Sequence, residues 1–583
     1  MSNRAIEGNA GADEKAVSLL SRLAGAPLAW LALALLLLCL FLGIPIILPI
    51  GPMYWDTYIY FDAAQRIHNG QIPNTDFLAP VGPLAYYIFA LGLKLFPNAQ
   101  PLLLAQWVVL IVAAPLMAIV IGDVASRRRG IAFALLVPFL IFAICPANVQ
   151  SFHSYPGMDG FGIYNRHATL LLYVLVSALM FVKDGRRLAI LCGLAMLALF
   201  LIKVTGFLAG GLIGLLALLS GRISWRSVVL AGAIFLAVLL CLELNGHMIT
   251  AYLDEIALLV RMNEEALLPR FLTVFSTDLD IILAGAVLIL TLAWTGRKAI
   301  RAGLATGAGI RTLLDSNFVW LGVALLAGIF FETQNTGSQD FTFLWPILLA
   351  IFIQSAHEPA SRRLAITVLI GFVAIPSVTK ILHKTLRAIA VSPTYVAAPV
   401  TDMKSLGQIS TRRDIMERAL LLEKHYRQYG DAYSDLSGKG QLPSWQLYSE
   451  LDYQMYWVIS TDEAVKAIRR FEAANDVHLA TIMNLDFTNP FPWLLDRDAT
   501  RHIQIGADPY RTVPPLDDAT RRSIAETDAV LLPHCPLTTG RRALYRIYAD
   551  ALKDRQVVKL NDCWEMLLRP GSKYLLETNT SAR

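Results

Sequence analysis

The chain has 583 residues, of which 55% are hydrophobic and only 16% are charged, and its mean hydropathy is +0.52. These values exclude an ordinary soluble globular protein of this length. The formal net charge of +5 comes from short basic clusters. Because no basic block is interleaved with aromatic residues, nothing in the sequence indicates nucleic acid as a partner.

Apolar segments recur from about residue 30 to about residue 378 and then stop. We predict eleven membrane spans. Several are shorter than the ~20 residues that a helix needs to cross a bilayer, so we expect their ends to extend into the flanking segments. The predicted spans are 30–50, 102–121, 131–145, 168–182, 188–202, 206–219, 228–242, 281–294, 318–331, 341–353 and 364–378.

Lys and Arg cluster in alternate connections between these spans, at 127–129, 183–187, 222–226, 297–311 and 362–363. Connections with such an excess of cations face the cytoplasm. The other connections and the C-terminal part are therefore predicted to face outward. The stretch before Trp30 lacks the pattern of a removable signal, so the first span is expected to remain as an anchor. We predict a cytoplasmic segment 1–29, a transmembrane domain 30–381 and a soluble extracytoplasmic domain 382–583.

The predicted outer domain alternates helix and strand patterns, which is typical of a small α/β domain. It has no glycine-rich phosphate loop, nucleophile elbow or metal-ligand spacing. The stretch 484–493, NLDFTNPFPW, is either a binding loop at a strand end or a structural turn. We predict helices at 411–429, from a capping box at Ser460 and Glu463 to residue 473, and at 541–552, and strands at 456–459, 477–483, 529–532, 557–560 and 565–568.

Four of the six cysteines lie in or at the ends of predicted spans, where a thiol behaves as a small hydrophobic group. Cys535 and Cys563 lie in the predicted outer domain, in a compartment that permits a disulfide. The sequence leaves open whether the two approach each other.

The loop 51–97, between the first two predicted spans, is the most informative segment, and we call it the opening loop. It sets charged side chains among aromatic residues at a membrane face, where they could meet a polar head group. These side chains are Asp56, Asp62, Asp76, Arg66 and His68. His68 has no companion at metal-ligand spacing, so it is not predicted to bind a metal.

The opening loop resembles the first outward loop of the GT-C superfamily of integral-membrane glycosyltransferases. The matching residues are Trp55-Asp56-Thr57-Tyr58, the helical segment 60–67, the turn 70–73 and PVGPLAYY at 80–87. The likeness extends to LIKVTG at 201–206 and TGSQDF at 336–341.

Many members of the branch with protein O-mannosyltransferases and lipid A aminoarabinose transferases have an acid at the position of Asp56, often followed by a second acid. This chain has Thr57 there, a departure that weakens any paired-acid mechanism.

The resemblance implies a polytopic α-helical membrane protein that transfers a sugar, with inversion, from a polyprenyl-phosphate carrier to an envelope glycan, lipid or protein. It also implies a bacterial inner membrane, with the C-terminal domain in the periplasm. A transporter or flippase of a lipid-linked glycan is the alternative. Such a protein would be expected to show matched halves or broken helices with acids at mid-membrane. A receptor would not need so many spans.

Sugar transfer needs a group that deprotonates or orients the acceptor hydroxyl and a group that neutralises the departing phosphate. Asp56 is the first candidate for the base, and the alternative is that it caps the following helix. Asp159, in a second loop at 151–167, is the second candidate, because related transferases often place a further acid there. A turn aspartate between glycines is its alternative.

Arg166 and Lys203 are the preferred contacts for the carrier phosphate, with Arg261 and Arg270 as weaker candidates. Each could instead extend from a helix end to the membrane interface. A divalent metal is possible but not required by the sequence. The acid pair Asp278 and Asp280 begins a predicted span and is expected to cap its helix.

Overall fold

The computed structural model describes residues 25–151, 154–263, 267–304, 309–333, 337–442 and 450–571. The first two thirds of the chain are helical, and a sheet appears only in the C-terminal part. This is a polytopic α-helical membrane protein with a C-terminal α/β part, as the sequence predicted.

Six described helices are long and apolar enough to cross a membrane: Pro101–Ala125, Ile163–Phe181, Gly185–Ile202, Trp225–Leu244, Leu279–Arg297 and Ala360–Thr394. Shorter apolar helices are Pro27–Leu42, Pro83–Leu95, Arg129–Ile144, Val204–Leu219, Asn317–Thr333 and Thr342–Ser355. Each predicted span coincides with one of these helices, and only Pro83–Leu95, inside the opening loop, lies outside the prediction.

The first predicted span, 30–50, is too long at its C-terminal end. Its helix ends at Leu42, and Leu48–Pro49 forms a short strand instead. Pro45 and Pro49 explain the break, because proline has no N–H for a helical hydrogen bond and disfavours helix at the preceding residue.

The remaining helices of this part lie in the connections: Asp56–His68, Met248–Met262, Leu267–Thr277 and Gly309–Leu314. At the start of Leu279–Leu304, the Asp278 carbonyl accepts the N–H groups of Ile281 and Ile282, and Asp280 lies 3.7 Å from Lys380. The two acids thus lie at a helix start, as expected.

The C-terminal part contains a five-stranded mixed sheet in the order Asp498–Ala499, Thr481–Asn484, Ala529–Pro533, Trp564–Leu568, Gln556–Lys559. The first three strands are parallel to one another, and Trp564–Leu568 runs antiparallel to both of its neighbours. The helices are Arg413–Gln428, Gly430–Gly438, Leu451–Asn475, Phe491–Leu495, Asp518–Glu526 and Thr539–Leu552. Cys535 and Cys563 are bonded to each other in a disulfide.

The predicted strand 456–459 and the capping box at Ser460 are wrong, because both lie inside the helix Leu451–Asn475. Tyr456, Trp457, Val458 and Ile459 are all buried. A helix buried on several sides gives a short continuous apolar run that periodicity cannot distinguish from a strand. Within this helix the Ser460 hydroxyl accepts a hydrogen bond from the Trp564 indole at 2.9 Å.

A second, three-stranded sheet joins the two parts of the chain. Leu48–Pro49 pairs in parallel with Ile409–Thr411, which pairs on its other side with Val396–Ala397. The long helix Ala360–Val391 runs without a break through residues 381 and 382, where we placed the boundary between the domains. The sheet therefore fixes the start of the opening loop to the segment that follows this helix.

Candidate active site

The opening loop is held by backbone hydrogen bonds to the second loop. Gly51 N donates to the Met158 carbonyl at 2.7 Å, and Met158 N donates to Pro49 at 2.8 Å. Two residues further on, Gly160 N donates to the Pro52 carbonyl at 3.1 Å. The two loops therefore cross at backbone distance just before Asp56.

Two glycines of the second loop allow its close backbone contacts, Gly160 with the opening loop and Gly162 with Gly337. A Cβ atom at Gly160 would lie 2.5 Å from the Met53 carbonyl oxygen. Gly162 has φ +67°, and a Cβ atom there would lie 2.1 Å from the Gly337 oxygen. Since no side chain fits at either position, the second loop can approach closely enough for Tyr164 to share a pocket with Asp56.

The C-terminal part holds the other side of the opening loop. The Arg66 guanidinium is fully buried and donates to Asp62 at 2.9 Å, Gln71 at 3.1 Å and the Thr500 carbonyl at 2.6 Å. Nearby, Leu78 N donates to the Ile503 carbonyl, and Ile505 N to the Leu78 carbonyl, both at 3.0 Å. The loop is thus a fixed layer between the two parts of the chain.

Asp56 is the first residue of the helix Asp56–His68, but its carboxylate makes no capping hydrogen bond. In the described part of the chain, no residue donates to this carboxylate or pairs with it as a cation. Burial alone raises the pKa of Asp56 to about 8. Asp56 lines a small pocket together with residues of the opening loop and the second loop. These residues are Ile59, Tyr60, Pro80, Tyr86, Gly160, Gly162, Ile163 and Tyr164.

This environment suits a general base. A carboxylate with a pKa near neutrality accepts a proton more readily than an ordinary aspartate and is still ionised in a useful fraction. Asp56 is half-buried and has no structural partner among the described residues. In contrast, Asp62, one turn and a half along the same helix, is fully buried and paired with Arg66. The structure thus does not support the capping alternative.

Lys203 lies between the helices Gly185–Ile202 and Val204–Leu219, where the backbone is extended. Gly82 N of the opening loop donates to the Ile202 carbonyl at 3.0 Å, which anchors the loop at this break. The Lys203 ammonium lies over the Tyr164 ring, 4.6 Å from its centroid. Tyr164 is therefore shared by the Asp56 pocket and by this cation.

Two arginines act on the charge of Lys203. Burial and, to a smaller extent, the positive charges of Arg511 and Arg270 together lower the pKa of Lys203 to about 8. Arg511 also contributes, after burial, to a lowered pKa of Arg270. We call Lys203, Arg270 and Arg511 the cation cluster. Within the described ranges none of the three is ion-paired with a carboxylate, so the cluster is suited to bind an anion.

Arg511 was missed by the sequence analysis. It comes from a short turn of the C-terminal part, more than three hundred residues after Lys203. No motif marks that turn, and only the polar, turn-forming composition of ADPYRT distinguishes it. Three tyrosines of the pocket were not predicted as site residues, although they lie in the segments 60–67, 80–87 and 151–167. They are Tyr60, Tyr86 and Tyr164.

Asp159 is fully buried and has defined partners. Its carboxylate accepts hydrogen bonds from Lys384 Nζ at 2.7 Å and from Asn148 N at 2.9 Å. Lys384 lies on the long helix that leads to the C-terminal part. These contacts indicate that Asp159 fixes the second loop, whereas its neighbour Gly160 lines the Asp56 pocket.

Arg166 and Arg261 are placed differently from Lys203. The Arg166 side chain is 1% exposed, and one of its nitrogens donates to the Asp159 carbonyl at 3.4 Å. Arg261 is exposed in the last turn of Met248–Met262. Of the four predicted phosphate contacts, the structure brings Lys203 and Arg270 together.

The stretch 484–493 packs against other parts of the protein. Asp486 pairs with Arg541 at 2.7 Å and accepts the Trp457 indole N–H at 3.0 Å. The ring of Trp493, in the short helix Phe491–Leu495, lies 5.3 Å from that of Phe61 in the opening loop. The structure thus favours the structural alternative for this stretch. Among the described residues, no three His, Cys, Asp or Glu side chains are grouped as a metal site.

No family model matches the chain, and no curated protein matches it. Solved structures similar to it include ArnT from Cupriavidus metallidurans in the apo state, with 13% identity, a TM-score of 0.35, and coverage of 93% of this chain and 97% of that chain. ArnT from the same organism bound to undecaprenyl phosphate has 14% identity, a TM-score of 0.38, and coverage of 93% and 98%.

A third similar structure is the archaeal oligosaccharyltransferase AglB from Archaeoglobus fulgidus in complex with an inhibitory peptide and a dolichol-phosphate. It has 11% identity and a TM-score of 0.27, with coverage of 91% of this chain and 72% of that chain. The superpositions are loose, and we transfer no residue roles from them.

Proposed function

We propose that this protein is a membrane glycosyltransferase that moves a sugar from a polyprenyl-phosphate carrier to an envelope glycan, lipid or protein. The observation that carries the proposal is the half-buried Asp56 carboxylate, which has no partner among the described residues and shares a pocket with Tyr164, while Lys203 of the cation cluster lies over the ring of that same tyrosine. A base and an anion site that share a neighbouring residue are what glycosyl transfer from a phosphate requires.

In the proposed reaction, the acceptor hydroxyl gives its proton to Asp56 as its oxygen bonds to the anomeric carbon. The bond from that carbon to the phosphate oxygen breaks, and its electron pair stays on the phosphate. Lys203 and Arg270 neutralise the charge that develops there. A single displacement of this kind inverts the configuration of the sugar.

The proposed setting follows from the distribution of cations. The basic connections face the cytoplasm, together with the N-terminal segment. The opening loop and the C-terminal part then lie at the outer, periplasmic face of a bacterial inner membrane. The amphipathic helices Met248–Met262 and Leu267–Thr277 have exposed apolar side chains, which fits a position at the interface where the carrier enters.

The decisive experiment replaces Asp56 by Asn and measures envelope glycolipids, glycans and glycoproteins by mass spectrometry in a complemented deletion strain. We expect Asp56→Asn to lose about 10²- to 10⁴-fold in transfer, because the amide cannot take the proton. Asp254→Asn is the matched control, since it makes the same chemical change at an exposed position of Met248–Met262.

One sugar should be absent in the deletion strain and with Asp56→Asn, and present with the wild type and Asp254→Asn at equal membrane levels. Full restoration by Asp56→Asn would contradict the catalytic role. Accumulation of the intact lipid-linked sugar on the inner leaflet in the deletion strain would point to the flippase alternative instead.

A further inference from the structure

Arg511 lies in a turn that the C-terminal part holds rigidly, the segment 506–513, which we call the arginine turn. The Asp508 carbonyl accepts three successive N–H groups, from Arg511 at 3.2 Å, Thr512 at 2.9 Å and Val513 at 3.1 Å. The Thr512 hydroxyl bonds the Gly506 carbonyl at 2.9 Å. Asp508 is buried, whereas Arg511 is exposed. The turn thus presents Arg511 outward on a fixed base.

The arginine turn lies on the rim of the Asp56 pocket. A Cβ atom on Gly506 would be 2.9 Å from Ile59 and 3.8 Å from Pro80, two of the residues that line the pocket. At the other end of the turn, the Asn263 side chain donates to the Arg511 carbonyl at 3.1 Å. This contact connects the turn to the segment that carries Arg270. Arg511 is therefore fixed between the pocket wall and the interfacial helices.

Positive charge predominates around the arginine turn. The charges of Arg270 and Arg511 both act on Lys203, which lies over Tyr164, a residue that lines the pocket bordered by this turn. The nearest acid of the turn, Asp508, accepts the Tyr510 N–H at 2.9 Å, and the charge of Arg511 also acts on its carboxyl group. In the described part of the chain no carboxylate pairs with the Arg511 guanidinium. Three cations held together against their repulsion indicate that the site is built for a ligand with more than one negative charge.

We infer that Arg511, supplied by the C-terminal part, binds the phosphate of the carrier together with Lys203 and Arg270, and that the site holds the discharged carrier more tightly than the sugar-loaded one. The inference rests on the proposed function.

The reaction itself changes the charge at this site. The loaded carrier is a phosphodiester with one negative charge. When the bond to the sugar breaks, the electron pair stays on the phosphate oxygen and gives a monoester with two charges. A site with three cations gains more from the second charge than from the first, so Arg511 stabilises the transition state more than the ground state.

The test measures binding of two probes to the detergent-solubilised full-length protein by calorimetry. Farnesyl phosphate stands for the discharged carrier, and its methyl phosphodiester stands for the charge of the loaded one. For Arg511→Ala we expect about a tenfold or greater loss of affinity for farnesyl phosphate and a smaller loss for the diester, because charge-assisted hydrogen bonds to a dianion are the stronger ones.

Two further variants make the result specific. Arg522→Ala removes an exposed arginine from the same part of the chain and should bind both probes like the wild type. Arg511→Lys keeps the charge and should retain affinity for farnesyl phosphate within about fivefold of the wild type. Equal thermal midpoints establish that the variants have the same fold as the wild type. If only Arg511→Ala fails to fold, Arg511→Lys replaces it as the test variant. Its affinity for farnesyl phosphate is then expected to be about two- to fivefold lower than that of the wild type.

The possible outcomes separate the two proposals. Wild-type affinity for farnesyl phosphate in folded Arg511→Ala, or in Arg511→Lys where that variant replaces it, would overturn this inference and leave the proposed function standing. The inference would also fall if the test variant lost affinity for both probes equally. No binding of either probe by the wild type would overturn the proposed function itself.

Discussion

At the scale of single residues, Asp56 and Lys203 have opposite requirements. The proposed base, Asp56, must be deprotonated to act, and burial raises its pKa to about 8. The proposed phosphate contact, Lys203, must be protonated to act, and burial with two neighbouring arginines lowers its pKa to about 8. The two groups therefore restrict activity from opposite sides of the same pH.

We accordingly expect kcat/KM to rise with pH as Asp56 ionises and to fall again as Lys203 loses its proton, with a narrow maximum near pH 8. In Lys203→Arg the guanidinium stays charged, so the falling limb should disappear from the measurable range while the rising limb remains. The measurement is the initial rate of transfer at saturating acceptor and low donor across pH. A flat profile in the wild type would show that neither group titrates as proposed.

The sequence predicted Asp56, Lys203 and Arg270 because each lies in or beside a recognisable connection between spans. It could not predict Arg511, whose contacts come from residues distant in the chain. It also could not show that Asp159 is paired with Lys384, since the partner lies on the last span. Local patterns carry the identity of a charged residue but not the identity of its partner.

At the scale of elements, the crossing of the opening loop and the second loop determines the pocket. We expect Gly160→Ala to destabilise the protein by about 1–3 kcal/mol, because the added methyl group meets the Met53 carbonyl. Activity should fall with it, since Tyr164 would move away from Asp56. The measurement is the thermal midpoint in detergent together with the transfer rate.

Gly214→Ala is the control for that substitution. No atom lies within 4 Å of a Cβ atom at this position, and the residue lies inside the helix Val204–Leu219. Alanine is favoured over glycine there by up to about 1 kcal/mol. A fall in the midpoint of Gly214→Ala as large as that of Gly160→Ala would contradict the steric account.

Elements with a clear period were predicted well, and those buried on several sides were not. The helices 411–429 and 541–552 were found close to their observed bounds, Arg413–Gln428 and Thr539–Leu552, because each has one polar face. The helix Leu451–Asn475 was divided into a strand and a helix because its first half contacts protein on several sides. Its burial depends on the opening loop, whose Trp55 and Tyr58 pack against Trp457.

At the scale of the whole molecule, the opening loop connects the membrane part to the C-terminal part through Arg66. We expect Arg66→Ala to destabilise the protein by about 3–5 kcal/mol, because it leaves the buried Asp62 carboxylate without its cation. The thermal midpoint of the solubilised protein is the measurement, and loss of transfer should accompany the loss of stability.

Arg501→Ala provides the comparison within the same interface. Arg501 pairs with Asp76 at 2.9 Å, but its side chain is 52% exposed. Exposed ion pairs contribute at most about 1 kcal/mol, so this variant should remain close to the wild type. Similar midpoints for the two variants would show that burial of Arg66 is not what holds the parts together.

The parallel pairing of Leu48–Pro49 with Ile409 and Ser410 can form only after both strands have been synthesised. The strand that completes the small sheet is made roughly 360 residues after the one that begins it, about 20 to 70 s later at ordinary rates of translation. During that interval Tyr54, Trp55 and Tyr58 lack the surface that later covers them. The nascent chain must therefore keep an aromatic segment from aggregating until the C-terminal part emerges, and the proposed active site is complete only after that part has been made.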